Sequence, residues 1–564
     1  MRMGNKERRW EISEISQKKA EELSPAEIID VLLAGRGISS PAQKEEFFHP
    51  PHPNELNLKA LGLNEEEVGK AIKRIKKAID KKETIIICGD YDVDGISGTG
   101  ILFETLYLAT DKVLPHLPNR FTEGYGLNPA SISDLKTKHK DLGLIITVDN
   151  GITANAAVDA ANDLGIDVII TDHHKLKRGS PKAHAFVYTK TVGGAEIAWV
   201  LAREVRRSLK IKEEDLKRGD GLDLAALGTI ADILPLLGPN RSFAWHGLKA
   251  LKESKRPGLL ALFKEAGITD RLGTYEVGYI IAPRINAAGR LEDPIVALQL
   301  LCTASYKRAS QLAQELGMTN RKRQETQEEI VISVKEMAAK IQDKKVLVIA
   351  DESYHEGVIG LAAAKLVEAF HRPAIVIARK QKDSKASARS IPGFDLIRTL
   401  EFLEEEFQLK LGGHEMAAGF TIMTKHIELF ARRFEEVASP LITESMLERK
   451  LKIDLIIPFT GLSLDLFSQI CQFEPTGMGN TSPTFATRGV RIVSAKTVGR
   501  ESRHLKLKLQ ADGVILNAIG FGFGNLKINL KPDQKVDIAY NLTASTWSGD
   551  EELELTIRDL KISP

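Results

Sequence analysis

Three short apolar runs in the first third of the chain each end on acidic or imidazole side chains. Thr84-Ile85-Ile86-Ile87-Cys88 leads into Asp90-Tyr91-Asp92-Val93-Asp94-Gly95, the run at 142–148 into Asp149-Asn150-Gly151, and the run at 167–171 into Asp172-His173-His174. Runs of this length, rich in β-branched residues and separated by helical patterns, read as strands buried on both faces of a parallel sheet. Further runs at 112–118 and 184–188 supply neighbours, which predicts a doubly wound, mainly parallel α/β sheet. The loop after each strand of such a sheet opens onto the crevice at its carboxyl edge, where ligands bind, and residues i and i+2 can point at one centre. A single Asp there is usually a helix cap or turn residue. Crowding several carboxylates into one crevice is different, because it costs repulsion and desolvation that a bound cation offsets.

The opening D-x-D-x-D-G also begins a calcium-binding EF-hand loop. Here the twelfth position is Ile101 instead of Glu and the preceding element is a strand, so that reading fails. Asp and His without thiolates favour Mn²⁺ or Mg²⁺, and imidazole moves the preference towards Mn²⁺. Two such ions ~3.5–4 Å apart on a shared carboxylate would polarise a water and stabilise the attacking and leaving oxygens at phosphorus. Two divalent cations, Mn²⁺ preferred and Mg²⁺ possible, are therefore expected.

At 564 residues the chain is long enough for three or four domains. The 78 Lys+Arg against 76 Asp+Glu leave a net charge of +2, which excludes a globally basic nucleic-acid binder and requires any such surface to be local. Cys88, Cys302 and Cys471 lie far apart, which suggests neither a disulfide framework nor a structural zinc and fits a reducing compartment. The N-terminus has no apolar h-region and no run approaches the ~20 residues that span a bilayer. No membrane and a cytoplasmic location are expected.

Residues 1–80 are polar and helix-like, with a Pro-rich break at 49–53. Residues 222–237 predict a helix with Asp232 inside an apolar surround, and 295–343 predict helices that link two domains. A second α/β pattern runs from 345–351 through 373–378 and 386–391 to Gly412-Gly413-His414. From about 450 the alternation is that of strands, and a small barrel fits. Lys496, Arg500, Arg503, His504, Lys506 and Lys508 gather along one of its hairpins, as a phosphate track would; a solvated strand face is the plain alternative. Trp547 and Phe521 are stacking candidates, or core.

DYDVDG, the acid of VDNG, TDHH and the helix LGTIADILPL resemble, in order, the four motifs of the DHH phosphoesterase superfamily. PNRFTEGYGL (118–127), PRINAAGRLED (283–293), SARSIPGFDL (387–396), GGHEMAAG (412–419) and FEPTGMGN (473–480) are similar to its RecJ family of bacterial single-strand DNA exonucleases. That resemblance, over roughly residues 80 to 560, implies an N-terminal helical extension (1–80), a DHH domain (81–294), linking helices (295–343), a DHH-associated domain with the GGH motif (344–445) and an OB-fold (446–564). It implies processive 5′-to-3′ hydrolysis of single-stranded DNA to 5′-mononucleotides, in recombination and repair. By resemblance Asp92, Asp94, Asp149, His173 and Asp232 look like metal ligands, with Asp149 bridging. Asp90 is a further ligand or a base, Asp172 orients the His pair, and His174 resembles a substrate-phosphate contact. Arginine suits phosphate through its planar, permanently charged fork, and Arg389, Ser387, Ser390, Gly413 and His414 look like the wall that holds the scissile phosphate and 5′ end. Arg120, Arg284 and Arg290, taken as loop residues, are weaker phosphate candidates; Tyr125 stacks on a base or packs. Single-stranded DNA is the implied partner of a monomer, with a helicase and a single-strand-binding protein by analogy.

Two departures from the family pattern stand out. Cys88 occupies a position where many DHH enzymes place a metal-binding His, and Tyr188-Thr189 stands where Asn-Pro is common, after a short segment following His174. A DHH phosphodiesterase acting on short oligonucleotides or cyclic dinucleotides is the rival enzyme, disfavoured by the extra barrel. A non-catalytic single-strand-binding scaffold is the rival of another class, disfavoured because the acids of the first and third motifs are all present.

Overall fold

The computed structural model describes residues 8–12, 23–124, 126–176, 179–269, 271–545 and 551–563. The chain divides into two units, one of Arg36–Asn320 with Gln469–Ser482, the other of Met1–Gly35, Arg321–Ser468 and Pro483–Pro564.

The first unit is built on five strands: β1 (Thr84–Gly89), β2 (Val113–His116), β3 (Leu142–Val148), β4 (Asp167–Asp172) and β5 (Ala185–Tyr188). Every pairing is parallel, in the order β2-β1-β3-β4-β5, as the uninterrupted apolar runs predict. Alternate residues serve opposite faces. Ile85, Ile87, Ile146 and Val148 pack against helices α1 (Val93–Tyr107), α2 (Gly194–Leu209) and α3 (Leu222–Ala231), while Ile86, Cys88, Ile145 and Ile170 meet Pro129–Lys138 and Asn155–Asp163. Each such buried aliphatic side chain contributes about 1.5–3 kcal/mol relative to exposure, and this burial offsets the repulsion gathered at the strand ends. Because β1 pairs with β2 on one side and β3 on the other, the strand order reverses there, and the carboxyl ends of β1 and β3 flank the switch-point crevice.

Two local expectations are corrected. The helix expected over 222–237 ends at Ala231, since Ile233 takes a left-handed φ of 59° and Pro235 follows, which no α-helix continues through. Asp232 is thus the C-cap residue. Arg284 and Arg290 lie on helix α4 (Ala282–Leu291), not in a loop.

The segment 473–480 joins this unit through Arg241. Its guanidinium, 1% exposed, donates to the carbonyls of Phe47 (2.7 Å), Phe473 (3.1 Å), Glu474 (2.9 Å) and Pro475 (3.2 Å) and stacks 3.9 Å from the Phe47 ring. Burial pulls its pKa down to about 10. Replacing Arg241 by Ala removes the donor to the Phe47 and Glu474 carbonyls, while Asn480 Nδ2 still serves those of Phe473 and Pro475, and it also removes a buried stacking contact; the urea midpoint should fall by the equivalent of about 2–4 kcal/mol, and a loss below about 1 kcal/mol would contradict this account.

In the second unit β6 (Leu347–Asp351), β7 (Ala374–Ala378), β8 (Asp383–Arg389), β9 (Lys410–His414) and β10 (Ala417–Met423) form a mixed sheet ordered β9-β10-β8-β7-β6, with only β6 and β7 parallel. Beyond it β11 (Phe485–Val498), β12 (His504–Ala511), β13 (Val514–Gly520), β14 (Lys535–Ser545) and β15 (Glu552–Ile562) close into a barrel, because β11 pairs with both β12 and β14. Arg9–Ile12 adds a parallel strand to Lys450–Ile453, and Trp10 Nε1 donates to Asp559 Oδ2 at 2.7 Å. No helix among the described residues is long and apolar enough to cross a membrane.

Candidate metal centre

Loops after β1, β3 and β4 and the end of α3 bring the acidic and imidazole side chains together. Three sets of ligand atoms each lie within 4.8 Å of one another: Asp90, Asp92 and Asp149; Asp94, His173 and Asp232; and Asp149, His173 and His174. Asp149 joins the first set to the third, and His173 Nε2 lies 3.0 Å from Asp149 Oδ1 and 3.8 Å from both Asp94 Oδ2 and Asp232 Oδ2. The third set thus links the other two, sharing Asp149 with the first and His173 with the second. Asp149 reaches its place through a left-handed φ of 61°, a conformation that Asp tolerates, and Asn150 Nδ2 ties the ends of β1 and β3 by donating to the carbonyls of Cys88 (3.0 Å) and Val148 (2.9 Å).

Several of these side chains are held in place by groups both near and distant in sequence. Asp94 accepts from Gly194 N (2.7 Å) and Ala195 N (2.9 Å), the first turn of α2, where the helix dipole favours negative charge. Glu196 fixes that turn, accepting from Gly193 N and from Thr229 Oγ1 of α3, both at 2.7 Å. Asp92 caps α1 by accepting from Asp94 N (3.0 Å), and Asn286 Oδ1 on α4 accepts from Val93 N (3.0 Å). Asp172 accepts from the backbone of His173 (2.7 Å), His174 (3.0 Å) and Ile152 (2.9 Å), and lies 2.8 Å from His174 Nδ1. Tyr188, one of the two departures, donates its hydroxyl to the His174 carbonyl at 3.0 Å.

The electrostatics of the cluster favour a cation. Burial first, and then the neighbouring carboxylates, push Asp90, Asp92, Asp149 and Asp232 upward. Burial pushes His173 down, which keeps its imidazole neutral and able to donate a lone pair. Burial also acts to lower His174, but the Asp172 carboxylate outweighs it and lifts His174 to about 9. Asp90 Oδ1 is buried with no hydrogen-bond partner among the described residues, a cost that ligation would remove. Oxygen donors with one imidazole, drawn together against their own repulsion, fit Mn²⁺ or Mg²⁺. Cys88 does not join them: it lies in the core of β1, and burial raises its thiol to about 12.

Space at the centre is made by two glycines. A Cβ on Gly194 would lie 2.5 Å from Asp149 Cβ, and one on Gly228 would lie 2.3 Å from Asp94 Oδ1 and 2.6 Å from Ala195 Cβ. Gly228→Ala should lower Mn²⁺ affinity by about 10–100-fold, the range for perturbed ligand support, with the far-UV circular dichroism unchanged. Unaltered titration calorimetry would refute the packing argument.

The expected phosphate residues divide. Arg120 donates to Tyr91 OH at 2.7 Å and stacks 4.4 Å over that ring. Arg284 is engaged by Glu265 Oε2 (2.7 Å) and the Ile280 carbonyl (2.8 Å), and Arg290 ends α4 half-buried. Ser390 is buried and donates to the Phe394 carbonyl at 2.6 Å, which spends its hydroxyl proton inside the loop. Arg389 and His414 stand opposite the same residue, Ala417 of β10, from the two flanking strands, so they share one face of the sheet. Ser387 Oγ lies 3.2 Å from Arg389 Nη1, and Gly413 adopts a φ of 148° where a Cβ would strike the Ala417 carbonyl at 2.4 Å.

On the barrel, Lys496 is directly opposite Lys506, with Lys508 two residues further along β12. His504, Lys506 and Lys508 alternate with buried Leu505, Leu507 and Leu509. Arg500 and Arg503 are exposed at the turn, Arg503 bonded to Glu501 at 2.6 Å. Phe521 is exposed, edge-on to His504; Tyr125 and Trp547 lie outside the described residues. Asn286, Glu196, Gly194 and Gly228 are the supporting residues that sequence reasoning missed. The glycine pair at 193–194, at a strand-to-helix junction, was the one visible signal.

Acids at two strand ends and a histidine pair at a third, meeting the aspartate that ends α3 around one point, define a DHH-type phosphoesterase. Known domain families match accordingly: the DHH family N-terminal domain over residues 84–229, the DHHA1 domain over 343–439 and the RecJ OB domain over 453–559. The chain belongs to the RecJ family. It is 32% identical over 573 residues to the single-stranded-DNA-specific exonuclease RecJ of Bacillus subtilis, covering 98% of this chain and 71% of that protein. To its counterpart in Escherichia coli it is 30% identical over 587 residues, covering 98% of both. The crystal structure of RecJ in complex with Mn²⁺ from Thermus thermophilus superposes with a TM-score of 0.82 at 28% identity, covering 99% of this chain and 80% of that one.

Proposed function

We propose that this protein is a metal-dependent exonuclease that degrades single-stranded DNA from its 5′ end to 5′-mononucleotides. The observation that carries the reading is the pair of adjoining donor sets at the switch point, Asp90, Asp92 and Asp149 beside Asp94, His173 and Asp232, joined through the third set of Asp149, His173 and His174. Asp90, Asp92 and Asp149 would hold one divalent ion and Asp94, His173 and Asp232 the other. Mn²⁺ or Mg²⁺ bound there supplies Lewis-acid polarisation of water and of the scissile phosphate.

The chain's own groups do the rest. Asp172 holds His174 through Nδ1, which fixes the ring so that Nε2 donates to a phosphate oxygen as its charge develops. The row of Arg389, Ser387 and His414 binds strand phosphates by charge-assisted hydrogen bonds. Lys496, Lys506 and Lys508, with Arg500 and Arg503, form a track for the strand on the barrel; Glu554, 3.8 Å from Lys506 Nζ, offsets only one of these charges, and a polyanion lying across them would offset the rest. The acids of every motif are present, which separates this chain from a silent scaffold. Recombination and repair in the cytoplasm fit such an activity, with the protein acting as a monomer on strands that a helicase unwinds and a single-strand-binding protein covers.

The test uses the same single strand labelled at one end or the other, with Mn²⁺. The 5′ label should appear at once as mononucleotide while the 3′-labelled strand shortens gradually. Early release of the 3′ label, or of internal fragments, would refute the assignment.

A further inference from the structure

Tyr275 and Tyr279 project into solvent, 62% and 74% exposed, with ring centroids 5.1 Å apart and planes inclined by 26°. Two large rings stacked on each other and exposed to water present a flat π-face, a feature that marks a binding surface. They begin and occupy a π-helical turn, Glu276–Ile281, whose Val277 and Ile281 are fully buried. That anchoring keeps the rings outside the core, and π-turns of this kind recur at functional sites.

The turn is fastened at both ends to the loops that carry the candidate ligands. On one side it runs without a break into α4, whose Asn286 accepts from Val93 N and whose Gly289 abuts the Tyr91 carbonyl. Seven residues separate Tyr279 from Asn286, so the platform stands about 10 Å along the helix from the loop bearing Asp92 and Asp94. On the other side Thr274 Oγ1 donates to the Thr476 carbonyl (2.9 Å), and in the same segment Met478 O accepts from Leu236 N (2.8 Å), four residues beyond Asp232. Arg271, 84% exposed and four residues before Tyr275 in the chain, adds a cation; its contact with exposed Glu474 is a loose 4.0 Å, weak in water.

We infer that Tyr275 and Tyr279 form a base-stacking platform that grips the single strand a short distance from the reacting end, with Arg271 on the adjoining phosphate. Every nucleobase has a π-face, so such a grip suits an enzyme that must hold any sequence. This rests on the nuclease reading and deepens it.

The test separates the two. The full chain with Mn²⁺ is titrated with phosphorothioate DNA carrying 2-aminopurine at successive positions. Quenching is expected at one or two neighbouring positions. The double variant Tyr275→Ala, Tyr279→Ala should lose that quenching and bind about tenfold more weakly, since a stacked base contributes ~1–3 kcal/mol and 1.4 kcal/mol is tenfold. Tyr275→Phe with Tyr279→Phe keeps both rings and should retain both signals. Equal affinity and quenching in the alanine variant overturn the proposal and leave the face to a protein partner; a loss as large in the phenylalanine variant overturns it too. Should the alanine variant fail to fold, a 5-iododeoxyuridine strand is photocrosslinked to the unaltered chain: adducts at 271–281 support the platform, and adducts only elsewhere overturn it. An unaltered chain that neither binds nor digests single strands refutes the nuclease reading itself, which failure of the tyrosine variants alone does not.

Discussion

Asp149→Asn should abolish single-strand hydrolysis, by roughly three orders of magnitude or more, while making the ion-free protein more stable. The two effects have one cause. Asp149 is buried, is pushed upward by burial and then by Asp94, Asp92, Asp90 and Asp232, and belongs to two of the three donor sets. On the proposed assignment, removing its charge takes a ligand from one ion position and the carboxylate 3.0 Å from His173 of the other, so catalysis should fail. In chelator the same change relieves a cluster of like charges, because a neutral isostere does not carry the penalty that pushes the Asp149 carboxyl upward, about 1.4 kcal/mol for each pKa unit. Differential scanning fluorimetry in chelator should therefore show the variant melting a few degrees above the unaltered chain. Residual digestion within tenfold of normal, or a lower melting temperature in chelator, would disprove this account.

Added Mn²⁺ should raise the melting temperature of the unaltered chain by roughly 10 °C, because ligand at 100 times its dissociation constant contributes about 2.7 kcal/mol per site and there are two positions. The sign follows from the geometry: the unfolded chain does not assemble loops as distant as Asp90 and Asp232, so the ions bind only the folded state. Calorimetry should give two ions per chain, and Asp232→Asn, which leaves the set of Asp90, Asp92 and Asp149 intact, should keep one. A melting temperature that ignores Mn²⁺, or an equal shift in Asp149→Asn, would dispose of the paired site.

The acidic strand ends could be read because a buried parallel strand is written as an unbroken β-branched run, and a run that stops at Asp or His announces a carboxyl edge. What held those acids was less readable. Asp94 is clamped by backbone N–H groups at positions 194 and 195, and backbone atoms leave no trace in side-chain identity. The largely apolar run LDLAALGTIADILPLL puts Asp232 inside a helix; the left-handed turn at Ile233 is a conformational choice that the pattern does not encode. Arg120, Arg284 and Ser390 each looked available for phosphate and each has a protein partner. A polar side chain's commitment depends on neighbours that composition cannot supply.

Local chemistry by itself determined the α/β class, the carboxylates and imidazoles that converge, and the hard divalent ions they suit, since strand periodicity and ligand hardness are properties of short segments. Only the folded chain decided how those groups are shared, which glycines leave room for them, which arginines are already spent, and that two tyrosines stand stacked in water. Those outcomes arise from contacts between residues distant along the chain, and such contacts exist only once the sheet has set its strands in order.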